Sequence, residues 1–304
     1  MARIGAKGVA ALVVAVLAAA GAGLAWVGAP APLPAAAIPA GWTEADADLE
    51  RGARLFALGG CAGCHAAPGA EGDARRVLAG GRRFETGFGT FLAPNISPDP
   101  EVGIGAWSAR DFASAMLRGV SPEGAHYYPA FPWPSYARME VAEVLDVWAH
   151  LRTLPEDATP SRPHELGFPW NLRAGVGLWK LLHLDPAPVV AGLSGEAERG
   201  RRLAEGAGHC AECHTPRGPL GGPRRNLWMA GGPNPDGEGT IPNITPAALD
   251  WSVSDIAYYL ESGFTPDYDS VGGSMVEVVR GTSQLRPEDR AAIAAYLEAL
   301  PPVE

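Results

Sequence analysis

The strings Gly60-Cys61-Ala62-Gly63-Cys64-His65 and His209-Cys210-Ala211-Glu212-Cys213-His214 hold all four cysteines of this 304-residue chain. Each follows a short amphipathic stretch, Leu49-Glu50-Arg51-Gly52-Ala53-Arg54-Leu55 before the first and Glu198-Arg199-Gly200-Arg201-Arg202-Leu203 before the second. The parallel continues downstream in constant order. Gly80-Gly81-Arg82-Arg83 is set against Gly221-Gly222-Pro223-Arg224-Arg225, and Pro94-Asn95-Ile96-Ser97-Pro98 against Pro242-Asn243-Ile244-Thr245-Pro246. Trp107-Ser108 with Asp111 answers Trp251-Ser252 with Asp255, and the helical stretches that follow end at Gly119 and Gly263. Val144-Leu145 to Leu154-Pro155 answers Ile293-Ala294 to Leu300-Pro301. A plan repeated in one order is a duplicated domain. The expected boundaries are residues 44–158 and 195–304, joined by a linker over 159–194.

The closing helix of the second copy is clearly punctuated. Pro287 suits a first-turn position, Glu288 and Asp289 favour the positive helix end, and Pro301 stops it. No alternating strand pattern appears, so the expected fold class is all-α, two tandem domains.

Cys-x-x-Cys alone fits a redox dithiol or half a zinc site. The histidine that follows each pair changes the chemistry. Two thiols three apart each form a thioether to a haem vinyl group, and the adjacent imidazole supplies the proximal iron ligand. A shared zinc site over Cys61, Cys64, Cys210 and Cys213 does not explain why both strings end in histidine, and two disulfides are odd at this spacing. The expected cofactors are therefore two covalently bound haem c groups, held by Cys61, Cys64 and His65 and by Cys210, Cys213 and His214.

Each iron needs a sixth ligand or an open site. Met275 lies in the loop Val271-Gly272-Gly273-Ser274-Met275 ahead of the closing helix, where a distal loop must fold over the haem. It is the expected second distal ligand. Counted from Gly119 and Gly263, its counterpart is Phe131, which cannot ligate iron. Met139, just before the first closing helix, is the expected ligand there, with His126 or an open site as alternatives; Met116 reads as core. For Arg82, Arg83, Arg224 and Arg225, propionate binding and plain solvated surface stand side by side. Trp107 and Trp251 read as core residues that start a helix.

The formal charge of −10, from 34 acidic and 24 basic residues, argues against a nucleic-acid partner. Arg3 and Lys7 precede an apolar run from Gly8 to about Gly28, followed by a Pro/Ala stretch to residue 43. That pattern is an export signal, and its length suffices to span a bilayer once. The expectation is an N-terminal transmembrane helix within residues 1–30, a linker over 31–43, and an inner-membrane, single-pass protein with its haem domains in the periplasm. A cleaved signal ending near Ala35 to Ala37 is the alternative.

The strings Phe88-Gly89-Thr90, Pro94 to Pro100, Tyr127-Tyr128-Pro129-Ala130-Phe131-Pro132, Gly208 to Arg217 and Val271 to Val279 add specificity. Through them the chain resembles the membrane-anchored dihaem c-type cytochromes of bacteria, related to cytochrome subunits of periplasmic alcohol and gluconate dehydrogenases. The resemblance implies two class I-like cytochrome c domains, His/Met ligation and electron transfer. It also implies a dehydrogenase as donor and a cytochrome or oxidase as acceptor. In those subunits a methionine often stands where this chain has Phe131, and three haems are common where this chain has motifs for two. The rival classes are a dihaem peroxidase or thiosulfate-oxidising enzyme, which needs an exchangeable sixth ligand, and a redox sensor, for which no output domain is present. The linker strings Phe168-Pro169-Trp170-Asn171-Leu172 and Leu178-Trp179-Lys180-Leu181-Leu182 read first as glue between the domains, and otherwise as a docking helix.

Overall fold

The computed structural model describes residues 14, 15, 21, 23, 28–234 and 239–304. Its first half contains α1 (Leu49–Leu58), α2 (Cys61–His65), α3 (Ala109–Arg118), α4 (Trp133–Tyr136) and α5 (Val141–Leu151). A linker helix α6 (Ala174–His183) leads into the second half, with α7 (Gly195–Glu205), α8 (Ala211–His214), α9 (Val253–Ser262), α10 (Met275–Thr282) and α11 (Pro287–Glu298).

Local chemistry sets these boundaries. Asp48 caps α1 by accepting from Arg51 N at 2.9 Å. Ser108 and Ser252 open α3 and α9 with identical capping boxes to Asp111 and Asp255. Pro287 starts α11, as its position predicts. In each half the first and last helices cross at very short range. Gly52 of α1 sits against the Asp146 carbonyl of α5, and Gly200 of α7 against the Ala292 carbonyl of α11, where any Cβ would overlap the oxygen. The missing side chain lets backbone approach backbone, and Leu55, Val144, Val147, Trp148, Ala204, Ile293 and Tyr296 close the core around the two crossings.

The all-α expectation is corrected by two small sheets. Strands β1 (Arg83–Thr86) and β2 (Gly89–Leu92) form an antiparallel hairpin, and β3 (Glu165–Leu166) adds to β2 from the linker. In the second half β4 (Gly232–Pro233) pairs with β5 (Thr240–Ile241). These strands are two to four residues long, too short to print an alternating pattern. Distant chain extends the first hairpin: Arg83 holds Glu165 of β3 with two bonds of 2.8 Å.

The expected transmembrane helix, and the single-pass inner-membrane placement drawn from it, are corrected too. Among the described residues no helix is long and apolar enough to cross a membrane. Most of the apolar run from Gly8 lies outside the described residues. From Gly28 onward the chain is taken up by the folded body. Gly28 O packs on Gly177 of α6 and accepts from His126 Nε2 at 2.8 Å. Leu33 is buried, its N–H bonded to Ser114 Oγ at 3.0 Å and its carbonyl to Arg110 Nε at 2.7 Å.

The linker helix is fastened to the first half. Lys180 donates to the Gly119 carbonyl at 3.1 Å and lies 4.4 Å from the Trp133 ring centre. The two halves also pack directly on each other. Gly281 of α10 abuts the Ala57 carbonyl of α1, Arg75 pairs with Glu277, and Arg202 pairs with Glu140 at 2.7 Å.

Candidate haem-attachment sites

Each cysteine pair sits on a single helical turn entered through a residue of positive φ, Gly60 at 58° and His209 at 38°. The second turn carries this conformation on a non-glycine residue, steadied by His209 Nδ1 donating to Ala207 O at 2.9 Å. All four cysteines are free of disulfides. Burial pushes the Cys61 and Cys210 thiols up to about 12, so both are held as neutral S–H groups.

The two histidines are oriented identically. His65 Nδ1 donates to Pro94 O at 2.9 Å, and His214 Nδ1 donates to Pro242 O at 2.9 Å. A carbonyl only accepts, so Nδ1 carries the proton and the Nε2 lone pair remains for a metal. Burial lowers the basicity of both rings and keeps them neutral, the form that ligates. Two thiols and one such imidazole per turn is the donor set that haem c needs, and both halves fit it.

Backbone bonds define the true repeat register. Gly80 N donates to His65 O and Gly231 N to His214 O, both at 2.7 Å. Ile96 N donates to Leu78 O, and Ile244 N to Met229 O. Leu78-Ala79-Gly80-Gly81 therefore matches Met229-Ala230-Gly231-Gly232, which corrects the pairing with Gly221-Gly222. The arginine pairs are not counterparts. Arg82 donates to Gly63 O, Arg83 to Glu165, and Arg225 to Asp185 O at 3.0 Å, so three of the four guanidiniums have protein partners.

The methionines separate on the same test. Tyr127 N donates to Gly119 O at 2.9 Å and Val271 N to Gly263 O at 2.7 Å, which puts Phe131 in register with Met275. Met275 is half-buried at the first residue of α10. Met116 and Met139 correspond to Leu260 and Leu285, and all four are buried in the core. Met139 lies one residue ahead of the α5 cap Glu140, against Gly206 of the other half. His126 is buried with Nε2 already bonded to Gly28 O.

Sequence reading missed a cavity of about 300 Å³ in the second half, lined by Ile244, Leu249, Trp251, Ile256 and Leu297. The stretch from Asn243 to Trp251 is shorter than its counterpart, Asn95 to Trp107, where Ile104 is buried in the core. Comparing those two lengths in the sequence is the signal that finds it. The cavity opens beside the loop that orients His214, with half-buried Trp251 on its wall.

Comparison with known proteins follows the same division. The sequence model described as Cytochrome c matches residues 49–155 and 197–301. A protein of Cereibacter sphaeroides named "Diheme cytochrome c-type" is 59% identical over 258 residues, covering 84% of this chain and 87% of that one. The cytochrome c subunit of the quinone alcohol dehydrogenase of Gluconacetobacter polyoxogenes is 34% identical over 277 residues, covering 86% of this chain. The cytochrome subunit of the fructose dehydrogenase of Gluconobacter japonicus is 34% identical over 263 residues, covering 83% of this chain. The chain spans 58% of the alcohol dehydrogenase subunit and 52% of the fructose dehydrogenase subunit.

Proposed function

Because this chain belongs to the cytochrome c family and binds two haem c groups covalently, we propose that it accepts single electrons from a dehydrogenase and delivers them to a respiratory acceptor, a cytochrome or an oxidase. Electron transfer is what a dihaem cytochrome c does; a dehydrogenase donor accords with relatives that are subunits of dehydrogenases. Carrier action without turnover of a substrate is part of the proposal. The observation that carries it is the repeated attachment turn, with each histidine held by a proline carbonyl.

In this reading residues 44–158 hold one haem and residues 195–304 the other. Cys61, Cys64, Cys210 and Cys213 form the thioethers, and His65 and His214 are the proximal ligands. When bound, haem supplies one-electron iron chemistry, and the chain sets its potential through ligand type, burial and hydrogen bonding. The Pro94 and Pro242 carbonyls fix each ring and make it a stronger donor. Met275 is the distal ligand of the second haem, supported by its place at the mouth of α10. Met139 is assigned to the first. Since its counterpart is Leu285, this assignment requires the first distal loop to take a different course from the second.

A carbon monoxide difference spectrum of the reduced, haem-loaded protein tests both assignments. Two six-coordinate irons take up no carbon monoxide; Met275→Ala then opens one haem and Met139→Ala the other. Phe131 in Met275's register favours one alternative, a first haem with an exchangeable site. Uptake by that haem in the unaltered protein, unchanged by Met139→Ala, would discard Met139 and put haem enzyme chemistry first.

A further inference from the structure

The two attachment turns approach each other where the halves meet. A Cβ placed on Gly59, just before the first turn, would lie 3.5 Å from Cys61 Sγ and 3.6 Å from Ala207 O. Ala207 O in turn accepts from His209 Nδ1 at 2.9 Å, and His209 adjoins Cys210. These three steps leave Cys61 Sγ within about 10 Å of the imidazole that precedes the second turn.

The gap is filled. Tyr136 is buried in it, its hydroxyl 3.4 Å from Gly59 O and its ring edge-on to His209 with centres 5.7 Å apart. Glycines keep it narrow on every side. A Cβ on Gly208 would meet Leu58 Cδ1 at 3.2 Å, one on Gly206 would meet Met139 Cγ at 3.3 Å, and one on Gly281 would overlap Ala57 O. Each turn is also covered by the other half's distal helix. Glu277 of α10 lies over Gly63, and Ser135 of α4 donates to Glu212 Oε1 at 2.7 Å.

Resting on the carrier reading, we propose that electrons pass between the halves across this seam, from the Cys61 turn to the Cys210 turn, with Tyr136 and His209 filling the gap and Gly59, Gly208 and Gly281 setting its width. Tunnelling falls off exponentially with distance and faster through voids than through packed atoms, so a close-packed gap between the thioether edges is the favourable crossing. One electron leaves a ferrous haem, which becomes ferric, and reduces the ferric haem of the other half. No bond forms or breaks, no proton moves, and Tyr136 and His209 keep their oxidation and protonation states. Tyr136, His209 and the seam glycines are positioning residues.

The test is flash photoreduction of the full-length, haem-loaded protein, following redistribution of the electron between the haems. Gly281→Leu wedges α10 from α1; because α10 also carries Met275 and lays Glu277 over Gly63, absorption spectra and midpoint potentials are recorded beside the exchange rate. The variant should slow exchange severalfold, because tunnelling falls exponentially as the gap widens. Tyr136→Ala should slow exchange as well, and Tyr136→Phe should restore it, which keeps the proposal testable if the wedge variant does not fold. Unaltered exchange rates in folded Gly281→Leu, or in Tyr136→Ala, would overturn the seam route. A potentiometric titration separates the two readings: haems that titrate reversibly but never exchange internally sink the seam alone, and haems that do not titrate sink the carrier.

Discussion

The helix crossing in each half gives a sharp test of the packing, because one substitution type should act with opposite signs at two glycines. At Gly200 a Cβ would overlap the Ala292 carbonyl oxygen, and the obstacle is backbone that no rotamer change removes. To accept alanine, α7 and α11 must part by roughly an ångström and loosen the core around Ala204, Ile293 and Tyr296. Overpacking costs about 1–3 kcal/mol, and a backbone obstacle belongs at the upper end of that range. The gain from replacing glycine within a helix is about 0.5–1 kcal/mol. The net expectation for Gly200→Ala is a loss of about 2 kcal/mol. At about 2–4 °C per kcal/mol, that is a fall in thermal midpoint of roughly 4–8 °C. Gly175 of α6 is the control, since a Cβ there meets nothing within 4 Å. Gly175→Ala should stabilise by at most about 1 kcal/mol and so raise the midpoint by no more than about 4 °C. The assay is helical circular dichroism on heating the haem-loaded proteins at one scan rate. If Gly200→Ala melts at or above the unaltered protein, or if both variants shift the same way, the close-crossing account is wrong.

Two further outcomes follow from buried polar groups. Glu205 is fully buried, accepts from Tyr296 OH at 2.8 Å, and faces Arg201 at 3.3 Å and Arg138 at 3.6 Å. Glu205→Gln leaves buried Arg138 without its carboxylate, whereas Arg201 keeps Glu198 at 2.7 Å, and should cost about 3–5 kcal/mol in denaturant unfolding; a cost under about 1 kcal/mol would mean that the cluster is solvated. His126 is held neutral, its basicity lowered chiefly by burial, with Nδ1 lacking any partner. Its contribution is therefore intact above the ordinary histidine value of 6.5 and is lost as the pH falls below it, where the unfolded chain takes up a proton that the folded one resists. Unfolding midpoints measured on either side of that value should converge for His126→Gln relative to the unaltered protein, and equal slopes would refute this.

Much of the site was legible in the chain itself. Thioether spacing and an adjacent imidazole are relations within five residues, so the proposed haem attachment at Cys61 to His65 and at Cys210 to His214 is read without a fold. The caps at Ser108 and Ser252 and the start at Pro287 are equally local. Counting from Gly119 and Gly263 found the Phe131–Met275 register because both loops between are the same length. Matching by residue pattern failed at Gly221-Gly222, where a second Gly-Gly ahead of an arginine pair mimics Gly80-Gly81-Arg82-Arg83 although the true counterpart is Gly231-Gly232. Only the bond to the histidine carbonyl identifies it.

What the sequence determined by itself, then, is what short covalent spacing and local backbone preference control: the duplication, the helices and the two attachment turns. The tertiary structure alone decided what depends on contacts between distant residues. The strand Glu165–Leu166 forms only against Gly89–Leu92, and Met139 meets Gly206 only once the two halves pack together. The residues from Gly28 to Leu33 are drawn onto α6 and α3 by partners many residues away. The seam follows the same rule, since Tyr136 and His209 are 73 positions apart and nothing in either neighbourhood forecasts their contact. Long-range contact is a property of the packed chain, because each half places its own attachment turn where the other half's helices can cover it.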